Sequence, residues 1–247
     1  IIAIPVAFVT ETLQTIQNDL SNKYFCIASK GIEQKTYLFL HEIFKKYVSS
    51  DNYAVMSGPS FAIDIINKYP ISLSIAASND ETYEIVSKAF TTWHFAFQRV
   101  LDIVGIEVCG AIKNVIAIAS GMVKGLELSD STQALFITKT LKDIQKLLEI
   151  LGGKKETLLT LAGFGDLLLT CTSTKSRNYN FGYSLAKNKE EAQSYQKTHT
   201  IEGVYTLKSI YNLLEEKGEV VTIISLLMEI VFNDQDVHTI IEYLMQK

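Results

Sequence analysis

The sequence predicts an α/β region followed by an all-α region. In the first hundred residues, short β-rich runs alternate with segments of helical periodicity, and from residue 105 onward helical segments follow one another. Hydrophobic residues make up 47% of the 247, including 12 Phe and 12 Tyr, which is enough apolar surface for one large core or two smaller ones. We therefore expect two domains, residues 1–104 and 105–247.

Five β-rich runs define the expected strands of the first region. They are IIAIP, YFCIAS, YAVMSG, ISLSIAAS and FAFQRV, and the helical segments between them are VTETLQTIQNDL, KTYLFLHEIFKKYV, FAIDIINKY and NDETYEIVSKAF. This alternation is typical of a doubly wound parallel sheet that is covered by helices on both faces. Because the chain opens directly on the buried-strand pattern IIAIP, we expect it to be a fragment that lacks its natural beginning.

The second region contains successive helical segments. A helix is expected over residues 105–123, and a second over STQALFITKTLKDIQKLLEILG, which ends at Gly152 and Gly153. After a loop-rich stretch around Gly163, further helices are expected in FGYSLAKNKEEAQ, EGVYTLKSIYNLLEEKG, VVTIISLLMEIVF and VHTIIEYLMQK. The polar residues 188–200 are the expected mobile surface segment.

Composition excludes several function classes. The net charge is −4 and the basic residues are spread along the chain, so no basic stripe predicts nucleic-acid binding. The three cysteines (Cys26, Cys109 and Cys171) form no C-x-x-C pair and the four histidines are scattered, which argues against disulfides and against a metal site. The apolar runs VIAIASGMV and VVTIISLLMEIVF are too short or too interrupted to predict a membrane span, and we recognise no targeting peptide. A soluble, cytoplasmic protein is expected.

The apolar stretch GIEVCGAIKNVIAIASGM contains a lysine and an asparagine, Lys113 and Asn114. At about 100° per residue, both share one helix face with Gly110, Ala117 and Gly121. Spacing alone favours tight helix–helix packing on this face, with Lys113 reaching out to water. The alternative is a shallow ligand trough into which Lys113 and Asn114 point.

Two short turns follow expected strands. In SGPSFA, residues 57–62, Ser60 is available as an N-cap, and the free N–H groups of the following helix would favour an anion. In ASKGIE, Lys30 lies just after a strand, where ligands of open parallel sheets bind. Each signal is weak by itself, because a plain capped turn and a surface lysine would look the same.

The stretch LAGFGDLLLTCTSTKSRNYNFG is more informative. Gly163 and Gly165 interrupt the helical pattern beside Asp166, and the hydroxyl, guanidinium and amide groups that follow suit a phosphate or a carboxylate; these groups belong to Thr170, Ser176, Arg177 and Asn178. A polar loop between helices is the alternative. The sequence contains no G-x-G-x-x-G, no G-x-S-x-G and no Walker pattern.

These segments together resemble one family, the bacterial-type NAD(P)-dependent glycerol-3-phosphate dehydrogenases. The resemblance covers nearly the whole chain and rests on IIAIP, ASKGIE, SGPSFA, GIEVCGAIKNVIAIASG, GGKKETLLTLAGFGDLLLTCTSTKSRN and IEGV, in that order. CGAIKNV combined with GDLLLTCTSTKSRN is highly specific. The resemblance implies the C-terminal part of an NAD(P)-binding Rossmann domain, followed by an all-helical substrate domain of the 6-phosphogluconate dehydrogenase C-terminal type.

The resemblance also implies an activity. Members transfer a hydride reversibly between NAD(P)H and dihydroxyacetone phosphate, which gives sn-glycerol 3-phosphate for glycerophospholipid synthesis. NAD or NADP is therefore the implied cofactor and a phosphorylated three-carbon molecule the implied substrate. A homodimer formed through the helical domain is the expected assembly.

Residue roles are implied in the same way. Lys113 would be the catalytic acid and base, with Asn114 beside it at the substrate. Lys30 matches a lysine that reaches substrate and cofactor, and Arg177 matches an arginine that holds the phosphate and touches the cofactor. The other matched positions are substrate contacts at Gly58, Ser60, Asp166, Thr170, Ser176 and Asn178, and cofactor contacts at Ala62 and Glu202.

The chemistry of these residue types suits ketone reduction. A proton must reach the nascent alkoxide, and the reverse reaction needs a base. A lysine in an apolar trough is expected to have a lowered pKa, which serves both roles, and its charge would stabilise the developing alkoxide. An arginine on the distant phosphate would position the carbonyl for transfer.

Three features depart from the family pattern. The Gly-rich first strand–turn–helix unit is absent from the 247 residues, SRN continues as YN where relatives often have further basic residues, and EVVTIIS lacks a proline. Two alternatives therefore stay open. One is a related dehydrogenase of the 6-phosphogluconate or hydroxyacid type, against which SGPSFA and KSRN argue. The other is a non-catalytic, truncated relative that binds phosphorylated small molecules or persists as a folded remnant.

Overall fold

The computed structural model of the chain describes residues 1–16 and 20–246. The helix expected over VTETLQTIQNDL extends across residues 17–19, which lie outside the described residues. The described chain forms two compact units, one of Ile1–Gly110 with Leu151–Asp166, the other of Ala111–Ile150 with Leu167–Lys247. The domain boundary at residues 104 and 105 stays a prediction.

The first unit is built on a four-stranded sheet. Its strands are β1 (Phe25–Ile27), β2 (Tyr53–Ser57), β3 (Ile71–Ala77) and β4 (Phe95–Arg99), and they lie side by side in the order β1-β2-β3-β4. Four of the five expected strands are therefore confirmed. The fifth, IIAIP, is wrong as a full strand, because it forms only a parallel bridge in which Ile2 N–H donates to the Cys26 carbonyl and Ile2 faces Ile27.

The direction of the strands is mostly parallel. β1 pairs with β2 and β3 with β4 in parallel, whereas β2 and β3 run antiparallel, with Val55 opposite Ala76. The alternation of strands and helices had indicated parallel pairs throughout. The connection from β2 to β3 contains only a five-residue helix, α3 (Ala62–Ile66), and a short connection of this kind suits an antiparallel return better than a parallel crossover.

Helices cover both faces of this sheet. Alternate strand residues point to opposite faces, so Ile27 packs with Phe44, whereas Cys26 packs with Val86. The helices of this unit, besides α3, are α1 (Val9–Thr15) and α2 (Leu40–Tyr47), which supply the first cluster, and α4 (Asp80–Phe90), which supplies the second. This confirms the partial doubly wound fold.

Helix α5 (Ile103–Gly125) is the longest element of the described chain. It is long and apolar enough to cross a membrane by length and composition, contrary to the expectation from its apolar runs, but 83% of its most apolar window is buried within the protein. A helix that is apolar on all sides and surrounded by protein is typical of a core.

The second unit is all-helical, as predicted. After the part of α5 from Ala111 onward it contains α6 (Asp130–Ile150), the part of α7 (Asp166–Thr172) from Leu167 onward, α8 (Arg177–Lys187), α9 (Lys189–Thr198), α10 (Glu202–Glu216), α11 (Thr222–Phe232) and α12 (Thr239–Met245). Helix α6 packs against α11 and α12, and α8 packs against α9. The polar segment 188–200 contains α9, whose cap Asn188 accepts hydrogen bonds from the N–H groups of Glu190 and Glu191.

Candidate active site

Three polar side chains of the first unit, those of Lys30, Ser57 and Asp166, meet at the carboxyl ends of the parallel strands β1 and β2. Lys30 follows β1, and its Nζ donates to Asp166 Oδ2 over 2.6 Å. Ser57, the last residue of β2, has its Oγ 3.5 Å from the same oxygen. The Asp166 side chain is 1% exposed, so the lysine supplies the charge that this buried carboxylate requires.

A π-helical turn, Leu161–Gly165, places Asp166 at this edge. The turn is attached to the sheet, since Leu161 N–H donates to Gln98 Oε1 at 3.2 Å and Ala162 N–H donates to Ser74 Oγ at 3.1 Å. Gly163 is required here, because a Cβ would lie 2.4 Å from the Leu158 carbonyl oxygen. The attachment holds the Asp166 carboxylate beside Lys30.

The small residues near this edge have identifiable packing roles. A Cβ on Gly110 would lie 3.2 Å from Ser57 Oγ and 3.6 Å from Lys30 Cγ, so the missing side chain allows close approach. A Cβ on Gly58 would lie 2.9 Å from Leu73 Cδ2. The expectation that Ser60 caps the next helix is wrong, because α3 begins at Ala62 and its cap position is Phe61, without a side-chain cap bond.

Lys113 and Thr170 meet in the second unit. Lys113 Nζ, on α5, donates to Thr170 Oγ1, on α7, over 3.1 Å. Two turns further along α5, Ser120 Oγ donates to the Cys171 carbonyl oxygen at 2.7 Å and ties the same two helices together. Thr170 therefore lies on a helix, and the expected polar loop is replaced by the π-helical turn, α7 and the start of α8.

Asn114 belongs to a hydrogen-bonded series that we call the amide relay, consisting of Gly203, Asn178, Asn114 and Glu202. Gly203 N–H donates to Asn178 Oδ1 at 2.8 Å, and Asn178 Nδ2 donates to Asn114 Oδ1 at 3.0 Å. Asn114 Nδ2 then donates to Glu202 Oε2 at 3.3 Å. The relay joins α5, α8 and α10, and both asparagines are buried.

Ser176 and Arg177 begin helix α8. Ser176 Oγ accepts a hydrogen bond from Tyr179 N–H as the helix N-cap, whereas the Arg177 side chain is exposed. An exposed guanidinium next to a helix N-terminus suits an anion. The structure thus uses the Ser176 hydroxyl as a cap and leaves the arginine at the surface.

The remainder of the small-residue face of α5 is used for packing. A Cβ on Gly121 would lie 2.0 Å from the Tyr179 carbonyl oxygen, and a Cβ on Gly182 would lie 1.8 Å from the Ile118 carbonyl oxygen. Helices α5 and α8 therefore approach backbone to backbone. We considered tight helix packing and a ligand trough for this face of α5. Tight packing describes the part around Gly121, whereas Lys113 and Asn114 bind polar partners.

The family is decided by two matches that together cover most of the chain. The family model for the N-terminus of NAD-dependent glycerol-3-phosphate dehydrogenase matches residues 1–83, and the model for its C-terminus matches residues 102–242. The chain belongs to this family. The expected resemblance is thereby confirmed.

Individual glycerol-3-phosphate dehydrogenases match over the whole chain. The NAD(P)+ enzyme of Staphylococcus epidermidis is 36% identical over 253 residues, which cover 100% of this chain and 76% of that protein. The Staphylococcus aureus enzyme is 33% identical over 252 residues, with the same two coverages. The crystal structure of the Coxiella burnetii glycerol-3-phosphate dehydrogenase superimposes with a TM-score of 0.90 at 30% identity, covering 99% of this chain and 75% of that one.

Dehydrogenases of this family use NAD or NADP. Dinucleotides lie outside the carboxyl ends of strands in open α/β sheets. At the ends of β1 and β2 a small cavity is lined by Ser29, Lys30, Ser57 and Gly110. The motif G-x-G-x-x-G, which binds a pyrophosphate, does not occur in the 247 residues.

Sequence reasoning missed a buried pair in this glycerol-3-phosphate dehydrogenase chain. Glu107, on α5, accepts a hydrogen bond from His41 N–H at 2.9 Å and also contacts the His41 ring at Nδ1. Burial raises the pKa of Glu107 above its usual range, and His41 opposes that shift. The signal was available, since Glu107 interrupts the same apolar stretch as Lys113.

Asp102 is a second missed residue. Its buried carboxylate accepts hydrogen bonds from Gly105 N–H at 2.9 Å, from Lys154 N–H at 2.8 Å and from the Thr157 hydroxyl. Three donors compensate the charge of a buried carboxylate. Asp102 therefore fixes the segment that leads to Asp166.

Proposed function

We propose that this chain catalyses the reversible NAD(P)H-dependent reduction of dihydroxyacetone phosphate to sn-glycerol 3-phosphate, a precursor of glycerophospholipids. Family membership supports the reaction, and the hydrogen bond from Lys113 to Thr170 is the observation that supports Lys113 as its acid and base. The non-catalytic alternative is not favoured, because the polar residues that match the family's reactive positions are present and hydrogen-bonded.

Lys113 is the proposed proton donor and acceptor. Hydride transfer to or from the substrate carbon is the chemistry that NAD(P) would supply when bound. Lys113 Nζ, held by Thr170, would deliver a proton to the carbonyl oxygen as the alkoxide forms and would take it back in the oxidation direction. The ammonium charge would also stabilise the oxygen before the proton moves. Asn114 would act beside it at the substrate.

The remaining predicted residues would bind and orient the substrate and the cofactor. Arg177 would hold the phosphate and touch the cofactor, because a planar, exposed guanidinium matches phosphate geometry. Lys30, fixed by Asp166, would reach both the substrate and the cofactor. The other proposed contacts are Gly58, Ser60, Asp166, Thr170 and Ser176 for the substrate, and Ala62 and Glu202 for the cofactor.

We also propose a cytoplasmic homodimer. The three cysteines, Cys26, Cys109 and Cys171, are buried and form no C-x-x-C pair, which fits a reducing compartment. Apolar side chains such as Leu135, Tyr205 and Phe232 are exposed on helices of the second unit and would suit a contact between copies. Light scattering of the purified protein tests the assembly, and a monomer at micromolar concentration would contradict it.

The role of Lys113 is tested by replacing it with alanine. We expect Lys113→Ala to lower kcat by about 10²–10⁴-fold, the usual contribution of a positioned acid–base group, with KM for dihydroxyacetone phosphate changed much less. Lys124→Ala is the matched control, since Lys124 lies on the same helix and pairs with exposed Asp130. Steady-state NADPH oxidation measures both. An unchanged kcat in Lys113→Ala would refute the assigned role.

A further inference from the structure

The hydroxyl group of Ser120 bonds to a neighbouring helix. A serine or threonine inside a helix commonly donates to a carbonyl three or four residues earlier in its own helix. Thr140 of α6 does so, since its hydroxyl donates to the Ile137 carbonyl oxygen at 2.8 Å. Ser120 of α5 instead donates to the Cys171 carbonyl oxygen of α7 at 2.7 Å, and both residues are fully buried. The hydroxyl therefore attaches α7 to α5.

Gln133, on α6, holds the Ser120 hydroxyl in this direction. Its Nε2 donates to the Ser120 carbonyl oxygen at 3.1 Å and also to Ser120 Oγ. A carbonyl oxygen can only accept, so the atom of Gln133 that faces Ser120 is the nitrogen. The Gln133 oxygen has no hydrogen-bond partner among the described residues, so the amide acts here only as a donor. Because Ser120 Oγ accepts from Gln133, its single hydrogen is directed to Cys171.

The bond from Ser120 acts on the last turn of α7, next to the residue that binds Lys113. The last four carbonyl groups of a helix have no partner within the helix, and in α7 (Asp166–Thr172) Cys171 carries one of them. Thr170, the preceding residue, accepts from Lys113 Nζ at 3.1 Å. Lys113 and Ser120 are seven residues apart on α5, about two helical turns, so they lie on the same face of α5. Two polar attachments therefore reach adjacent residues of α7.

We propose that Ser120, supported by Gln133, is a positioning residue for Lys113 and acts through Thr170. The bond to Cys171 sets the place of the α7 backbone, and with it the place of the Thr170 hydroxyl that binds the lysine. Ser120 is fully buried and its hydroxyl both donates and accepts within the protein, so its effect on the reaction passes through these partners. The catalytic consequence rests on the proposed function.

The substitution Ser120→Ala removes the bond to Cys171 and leaves the backbone of α5 intact. We expect kcat to fall about 10-fold, KM for dihydroxyacetone phosphate to change less than threefold, and Tm to fall by about 2–6 °C. Thr140→Val is the matched control, because it also removes a buried hydroxyl that donates to a carbonyl, but that bond stays within α6. We expect T140V to lower the Tm by a similar amount and to leave kcat unchanged.

A double-variant cycle tests whether Ser120 acts through Thr170. Thr170→Val removes the acceptor of Lys113 and is expected to lower kcat by itself. If the place of the Thr170 hydroxyl is what Ser120 sets, adding S120A to T170V lowers kcat less than twofold further. Gln133→Met keeps the length of the side chain but has no donor. It should lower kcat as S120A does, and it should add less than twofold to the loss in S120A.

Hydrogen exchange supplies a measurement that does not depend on activity. Amide exchange in residues 167–172 should be faster in S120A than in wild type and unchanged in T140V, because only Ser120 holds the end of α7. Unchanged exchange in S120A would overturn the attachment. If the wild type does not turn over dihydroxyacetone phosphate, the proposed function fails, while hydrogen exchange still decides whether Ser120 fixes α7.

The kinetic outcomes separate a positioning role from a general loss of stability. A 10-fold loss of kcat in S120A that disappears in the T170V background supports the proposal. If S120A does not fold, Q133M takes its place in the same cycle. The proposal is overturned by a kcat loss of equal size in T140V, by an undiminished loss when Thr170 is replaced, by a change confined to KM, or by an S120A protein with the kcat of wild type.

Discussion

At the scale of single residues, buried charge distinguishes this chain from an ordinary apolar core. Glu107 and Asp166 are both buried carboxylates, but their compensation differs. Asp166 pairs with the Lys30 ammonium, whereas Glu107 has the backbone N–H and ring of His41. Burial raises the pKa of Glu107, opposed by His41 and increased slightly by Glu42. The folded protein therefore binds the proton of Glu107 more tightly than the unfolded chain does.

This shift makes stability depend on pH. A carboxyl group with a raised pKa in the folded state contributes stability that is fully present below its unfolded pKa of about 4.3 and is lost as the pH rises through its folded pKa. Glu107→Gln keeps an acceptor for His41 N–H and does not titrate. We expect the Tm of E107Q relative to wild type to increase as the pH rises above 4.3, by a few degrees.

Thermal unfolding over a range of pH checks this expectation. Glu84→Gln, at an exposed position of α4, is the control, and its Tm should change with pH as the Tm of wild type does. A Tm difference between E107Q and wild type that falls as the pH rises would show that the raised pKa is wrong.

The candidate site could be predicted at this scale only in part. Lys113 and Asn114 were recognisable because an ammonium and an amide interrupt an apolar helix. The hydrogen bonds of Asn178 could not be predicted, because one of its partners is the backbone N–H of Gly203, 25 residues away. Ser60 was mistaken for an N-cap since the choice between Ser60 and Phe61 depends on where α3 starts.

At the scale of elements, the contact between α5 and α8 rests on glycine. Gly182 of α8 lies against the backbone of Ile118, and Gly121 of α5 lies against that of Tyr179. Two helices approach this closely only where side chains are absent. The contact positions Asn178 near Asn114, since the first lies on α8 and the second on α5.

Gly182→Ala should disrupt this contact. The added Cβ would lie 1.8 Å from the Ile118 carbonyl oxygen, so the helices must separate. We expect a loss of about 2–3 kcal/mol in the free energy of unfolding and a Tm lower by about 4–10 °C. Lys187→Ala on the same helix removes a surface ion pair with Glu127 and a contact of the ammonium with the Tyr183 ring, and we expect it to lower the Tm much less. Differential scanning calorimetry compares the two, and equal Tm values would contradict the close approach.

The helices were easier to predict than the strands. Periodicity located α4, α6, α10 and α11, but the pattern FGYSLAKNKEEAQ was taken as one helix. Asn188 interrupts it with an extended backbone and caps α9. An asparagine followed by two glutamates in the next turn is an N-cap signal, so this boundary was available in the sequence. The antiparallel direction of β3 could not be predicted from the sequence, because it depends on how the chain returns after α3.

At the scale of the whole molecule, the change from alternating strands and helices to helices alone indicated two domains, and the boundary at residues 104 and 105 stays a prediction. The segment Leu151–Asp166 belongs to the first unit although it follows a long helix of the second. Periodicity cannot predict this return, since it depends on side chains distant in sequence that bind the segment, among them Asp102, Ser74 and Gln98. The family resemblance predicted Asp166 as a substrate contact, but it did not explain what holds Asp166 in its position.

The central claim is that this chain reduces dihydroxyacetone phosphate. The most direct measurement mixes the purified protein with NADH or NADPH, adds dihydroxyacetone phosphate, and follows nucleotide absorbance while the product is identified by its stereochemistry. We expect nucleotide oxidation that depends on the substrate, with one sn-glycerol 3-phosphate formed for each nucleotide consumed. Protein that is folded by circular dichroism yet oxidises neither nucleotide with this substrate would contradict it.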